Sequence, residues 1–261
     1  MTWIFDLPLI VAGPLVLSLL LGFALGGLYL FRTHLLPRLR FEQHEATFGA
    51  GLVSSIMVFY GLSAALVAVN VWEAYRDVGA TASKEATALN TLWRDVSGYP
   101  SDYRIQLQKQ LREYTNYVIH EAWPLQRKGI VPRRGLDQMT QFQALLTSYE
   151  PKTEAQKILA AEAFSAYNHL IEVRRERLDS VNTHLPGVFW AVIIFGAAIS
   201  LVSAFFFPIV DARVHAVQTA LLAVFIGLVI FLILALDRPY RGDLGITPES
   251  YQLLYDQLMK S

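Results

Sequence analysis

His120-Glu121 opens the pattern of a helical zinc protease site, but Pro124 stands where the second histidine is required. The chain contains no phosphate-binding P-loop, no Gly-x-Ser-x-Gly elbow and no glycine-rich dinucleotide turn. It has no cysteine, which removes disulfides, thiolate metal sites and thiol nucleophiles. His34 and His44 match no common zinc spacing and read as interfacial residues. An enzyme, a metal centre and a cofactor are therefore not expected.

One regular pattern remains. Ile56, Ser63, Asn70, Asp77 and Lys84 recur every seven residues, and Tyr60, Val67, Ala74 and Thr81 fill the half-steps. On a helix such a repeat forms one face. This one is apolar at one end, mildly polar in the middle and charged at the other. It can pack against the rest of its own chain, or it can face copies of itself and line a pore, where apolar rings gate and polar rings tune passage. Asn70 is the most telling member, because an amide within an apolar span needs a partner or water.

The elements that must carry this face follow from the charge pattern. Residues 7–31, 46–72, 185–210 and 214–236 contain no Asp, Glu, Lys or Arg. Each run exceeds the roughly 20 residues that cross a bilayer as a helix. The predicted fold is an all-α membrane protein with four transmembrane helices and a soluble helical insert between the second and third. The predicted segments are 1–72 as the first helix pair, 73–187 as the insert, 188–236 as the second pair and 237–261 as a tail. The N-terminus has no basic residue before its apolar stretch, so the first run reads as a retained span and not a signal peptide. In it, Gly22 and Gly26 have the spacing that lets helix backbones approach closely. The loop after it carries Arg32, Arg38 and Arg40.

No proline occurs between Pro37 and Pro100, and the helical pattern runs on through Ala82, Ala86, Leu89 and Leu92. One long helix from about 47 to 97 is predicted, extending from the bilayer into the soluble bundle. Further helices are predicted over about 102–122, ending before Pro124, over 136–149, and over 154–183 with Thr153 and Gln156 as a capping box. The last of these carries Ile158, Leu159, Tyr167, Leu170, Ile171, Leu178 and Val181 on its apolar side, while Arg174, Arg175, Glu176, Arg177 and Asp179 read as a solvated face. Thr247-Pro248-Glu249 starts a short amphipathic tail helix whose Tyr251, Leu254, Tyr255 and Leu258 should dock on the bundle.

Formal net charge is zero, and the insert holds fifteen basic against fourteen acidic residues, so no nucleic-acid partner is implied. Charge leaves the orientation open. The first short loop favours an insert outside the cell, and the total count near the membrane favours one inside.

Three segments resemble the bacterial bestrophin-like domain family: Lys84-Glu85-Ala86-Thr87-Ala88-Leu89-Asn90-Thr91-Leu92-Trp93-Arg94, Glu121-Ala122-Trp123-Pro124, and Leu236-Asp237-Arg238-Pro239-Tyr240-Arg241-Gly242. The arrangement of spans is similar in turn to bestrophins, pentameric anion channels whose second span lines the pore. The resemblance implies a homo-oligomer, with a pentamer favoured, in the bacterial inner membrane, with insert and termini cytoplasmic and inorganic ions as partners beside the bilayer. It implies a pore lined by Ile56, Phe59, Tyr60, Ser63, Val67 and Asn70, with Glu73, Arg76, Asp77 and Lys84 at the mouth. Bestrophins carry an acidic calcium clasp after the last span. Here the tail has only scattered acids at Asp237, Asp243, Glu249 and Asp256, so calcium gating is not implied. The alternative is a non-conducting scaffold or sensor whose insert offers an aromatic surface of Tyr103, Tyr114, Tyr117 and Trp123 to a protein partner.

Overall fold

The computed structural model describes residues 5, 7–38, 43–207 and 209–260, with side chains along the second helix from Gly51 onward. Arg40 and the side chain of His44 lie outside the described residues. Among the described residues every regular element is helical. The chain forms two compact units, Met1–Glu73 with His184–Arg238 and Ala74–Thr183 with Pro239–Ser261.

The first unit holds α1 (Leu9–Leu30), the first part of α2 (Gln43–Ser97), α7 (Gly187–Ala204) and α8 (Ala212–Leu236). Four helices are long and apolar enough to cross a membrane. The protein is thus a multi-pass membrane protein. α1 lies along α8, and α7 packs on both. Of each span's most apolar window, 44% is buried for α8, which makes it the hub, against 22% for α1 and 17% for α2, the least buried. Close approach depends on bare backbone. A Cβ on Gly227 would come 2.7 Å from Leu17, and one on Gly27 would come 2.8 Å from the Phe205 ring. Gly22 and Gly26 make no close contact within the subunit: a Cβ on either meets nothing within 4 Å. The packing face of α1 runs through Ala12, Gly13, Val16, Ala24 and Leu28 instead.

Both ends of the α7–α8 pair are tied by polar groups. Arg32 donates to the carbonyls of Ile209 and Val210 at 3.2 and 2.9 Å and lies 3.2 Å from Nδ1 of His215, whose Nε2 meets the Ala204 carbonyl at 3.1 Å. At the other end the Asp237 carboxylate accepts the Leu185 N–H at 2.6 Å. Burial raises the Asp237 pKa above the ordinary carboxylate value, against the opposing pull of that hydrogen bond.

The second unit packs the rest of α2 with α3 (Ser101–Tyr117), α4 (Trp123–Gln126), α5 (Arg134–Thr147), α6 (Glu154–Asp179) and the tail helix α9 (Glu249–Leu254). α2 runs unbroken from Gln43 to Ser97, as its lack of proline predicts. In this unit it buries Val78, Ala82, Ala86, Leu89, Leu92 and Val96, one stripe at helical spacing. The Thr153–Gln156 capping box forms as predicted. Pro124 does not end a helix. A π-helical turn, Val118–Ala122, follows α3, and Pro124 then sits in the first turn of α4, where its missing N–H costs nothing. Tyr251, Leu254 and Met259 of the tail are buried in the core with Trp123 and Tyr240, and Tyr255 and Leu258 pack against it. The tail helix therefore docks on the bundle.

Candidate functional site

The heptad pattern resolves into two sets. Ile56, Ser63, Asn70, Asp77 and Lys84 are all exposed in the protomer, and the half-step residues Tyr60, Val67, Ala74 and Thr81 are all half-buried. Phe59 is 70% exposed, beside the first set. Glu73 and Arg76 are exposed as well. Neither Ser63 nor Asn70 is buried against its own subunit, so this face of α2 is not an internal packing seam. Both satisfy their donors locally: Ser63 Oγ donates to the Phe59 carbonyl at 2.8 Å, and Asn70 Nδ2 to the Leu66 carbonyl at 2.9 Å. Tyr60 turns inward. A Cβ on Gly196 of α7 would lie 2.6 Å from its ring. The ring therefore stacks on glycine backbone within the subunit.

The second unit contains a buried charge network that the sequence reading missed. Glu85 and Arg177 are 0% and 1% exposed and form an ion pair at 2.5 Å. Arg177 Nη1 donates to Gln126 Oε1 at 2.6 Å. Tyr114 donates its hydroxyl hydrogen to Glu85 Oε1 at 2.8 Å and accepts from Arg174 Nε at 3.0 Å. The Arg177 guanidinium also lies 5.6 Å from the Trp123 ring and 5.8 Å from the Tyr251 ring. Burial works against the charge on Arg177, but the Glu85 carboxylate, together with the Tyr251 and Tyr114 hydroxyls, outweighs it and holds the guanidinium pKa well above its usual value. Burial first, and then Glu85, push the Tyr114 hydroxyl above the ordinary phenol range.

This network corrects the reading of 174–179 as a solvated face. Arg174 and Arg177, three apart, share the core side of α6 with Leu170 and Val173 and are buried. Arg175, Glu176 and Asp179 are exposed, and the Arg175–Asp179 pair, 3.9 Å apart with both side chains over three-quarters exposed, contributes little. The signal was present in the spacing. Glu85 falls on the stripe 78, 82, 85, 89, 92, and Arg174 and Arg177 on 170, 173, 174, 177, so α2 places one charge at a core position and α6 two. The aromatic surface expected for a protein partner is also absent as such. Tyr114, Tyr117 and Trp123 are core residues, and Tyr103 packs partly buried against them. Of the tail acids, Asp237 is buried while Asp243, Glu249 and Asp256 are exposed.

Two units of this build, four spans and a helical bundle sharing the long α2, define a membrane protein with one exposed polar-to-charged helix face. A family model described as Bestrophin-like domain matches residues 18–251, and the chain belongs to that family. No curated protein and no solved structure matches it.

Proposed function

We propose that the protein is a homo-oligomeric ion channel, a pentamer in the bacterial inner membrane, with α2 of each subunit lining the pore and with the insert and termini cytoplasmic. One observation carries the reading: α2 is the least buried span, and its seven-residue row is exposed along its described length. The exposed amide of Asn70 within the span does not suit lipid contact, and around a shared axis it would face water. Ile56 and Phe59 form the apolar constriction, with the half-buried Val67 beside it, while Tyr60, packed on Gly196, supports the helix from behind. Ser63 and Asn70 form polar rings, and Glu73, Arg76, Asp77 and Lys84 line the mouth. The mouth carries two charges of each sign. Anion conduction follows from the family's relation to bestrophins, with Arg76 and Lys84 as the attracting groups. The channel reading leaves no role for an enzyme site.

The test is ion flux from liposomes holding the purified protein. Chloride efflux that exceeds potassium efflux, and that changes in Ile56→Ala, supports the reading. No flux of any anion or cation over a range of pH would overturn it in favour of a non-conducting scaffold.

A further inference from the structure

The first unit contains a cavity of about 230 Å³ between α2, α7 and α8. Its α2 wall is Met57, Tyr60, Gly61, Ala64, Ala65 and Ala68. At roughly 100° of turn per helical residue, the centre of this wall lies about 130° round α2 from that of Ile56, Ser63 and Asn70, and Tyr60 stands at the boundary between the two sides. The cavity exists because four of the six wall residues are glycine or alanine. Opposite them stand the large side chains of Phe225, Ile226 and Leu232 on α8.

Two hydroxyls break this apolar lining. Tyr60 Oη and Ser200 Oγ are both buried, both belong to residues that line the cavity, and neither has a hydrogen-bond partner. Ser200 is 1% exposed. Among the described residues it is the one serine or threonine whose buried hydroxyl has no partner. Ser55, Ser63, Thr81, Thr87 and Thr91 on α2 each donate to the carbonyl four residues back. A buried hydroxyl with no partner carries a desolvation cost, and here two such groups line one space.

We propose that this cavity binds a small amphiphile, an apolar body with one oxygen-bearing head that hydrogen-bonds Tyr60 and Ser200. The volume suits that class. An apolar cavity of roughly 150 Å³ accepts a benzene ring, so this one has room for a short alkyl body and a head. A hydroxyl at each contact point can donate or accept, which fits an alcohol or an ester carbonyl. A charged head does not fit, since the rest of the lining offers no counter-charge. The head could belong to a free alcohol or to a chain of a bilayer lipid.

The experiment uses full-length protein in nanodiscs of phosphatidylcholine and phosphatidylglycerol, with n-octanol carrying a photoactivated diazirine. Adducts are mapped by mass spectrometry. They should concentrate on Met57, Tyr60 and Phe225. Excess octanol should compete and octane should not. Labelling should fall roughly three- to tenfold in Ser200→Ala, the loss of one hydrogen bond, with an unchanged thermal transition. Filling the space with Ala64→Leu should abolish it, and Tyr60→Phe serves as a second probe of the head contact. A lipid that survives native mass spectrometry and is displaced by octanol would identify the bilayer as the source. Labelling without such a lipid would identify a free amphiphile. Adducts spread equally over Phe59, Leu62 and Leu221, or labelling indifferent to Ser200→Ala and Tyr60→Phe, would overturn the proposal.

Discussion

The two halves of α2 are built from one unbroken helix but are held in different ways. Over residues 51–73, large apolar side chains such as Val58, Phe59, Leu62, Leu66 and Trp72 remain exposed, while Val53, Ala64 and Val71 are buried. Over residues 74–97, Val78, Ala82, Glu85, Ala86, Leu89, Leu92, Trp93 and Val96 are buried in a core of the subunit's own. The first half is thus shaped for surroundings outside the protomer, lipid on some faces and, in the proposed assembly, copies of itself on another. The second half is a conventional amphipathic helix with a charge at its centre. Substitutions in the core of the second half should accordingly act on stability, and those along the exposed row, Asp77 and Lys84 included, on conduction.

The largest expected effect is at the buried ion pair. Arg177→Met leaves the Glu85 carboxylate buried with only the Tyr114 hydrogen bond and no counter-charge, and should cost about 3–5 kcal/mol, read as a fall in thermal midpoint in detergent. The double variant Glu85→Met with Arg177→Met should recover most of that loss, because the two sites are coupled. If the double variant is as unstable as the single, the network is held by something other than charge pairing. Gly196→Leu comes next. Its Cβ alone would lie 2.6 Å from the Tyr60 ring, and overpacking of this kind costs about 1–3 kcal/mol. Tyr114→Phe should cost about 1–2 kcal/mol, since the Glu85 oxygen and the Arg174 Nε each lose a buried partner.

A smaller effect is set by pH. The folded-state pKa of Asp237 is raised by burial, so the folded protein holds this proton more tightly than the unfolded chain. This group's contribution is therefore greatest below the ordinary carboxylate pKa and declines as pH rises through the raised value. Above that range it is flat. Asp237→Asn should remove this decline from a pH series of thermal midpoints and leave the rest of the series unchanged. The smallest stability effect belongs to the exposed row. Asp77→Asn and Lys84→Gln should each stay within about 0.5 kcal/mol. They should nevertheless shift the ratio of chloride to potassium flux in opposite directions, which separates the row from the core.

Sequence patterning revealed the four spans, the unbroken α2, the capping box at Thr153 and the docking of Tyr251 and Leu254, because each follows from local chemistry or from a single periodicity. It misread 174–179, because a charged run looks solvated until its i,i+3 members are assigned to a side, and that side is fixed by Glu85, 92 residues away in the chain. Pro124 misled for a similar reason. A proline excludes a helix interior but not the first turn after a π-helical break. The heptad row was legible as a pattern, but periodicity alone could not say whether it faced inward or outward. Only the packing of α1, α7 and α8 shows that Ser63 and Asn70 are left uncovered.

The absence of cysteine in the chain makes one measurement direct. Single cysteines at Ile56, Ser63 and Asn70 can be compared with cysteines at Val58, Leu62 and Val69, which are also exposed but lie on another side of α2. A water-soluble methanethiosulfonate reagent, applied to the reconstituted channel, should reduce ion flux for the first three and leave the second three unchanged. Block at Val58, Leu62 and Val69 with none at Ile56, Ser63 and Asn70 would contradict the assignment of this face to a pore.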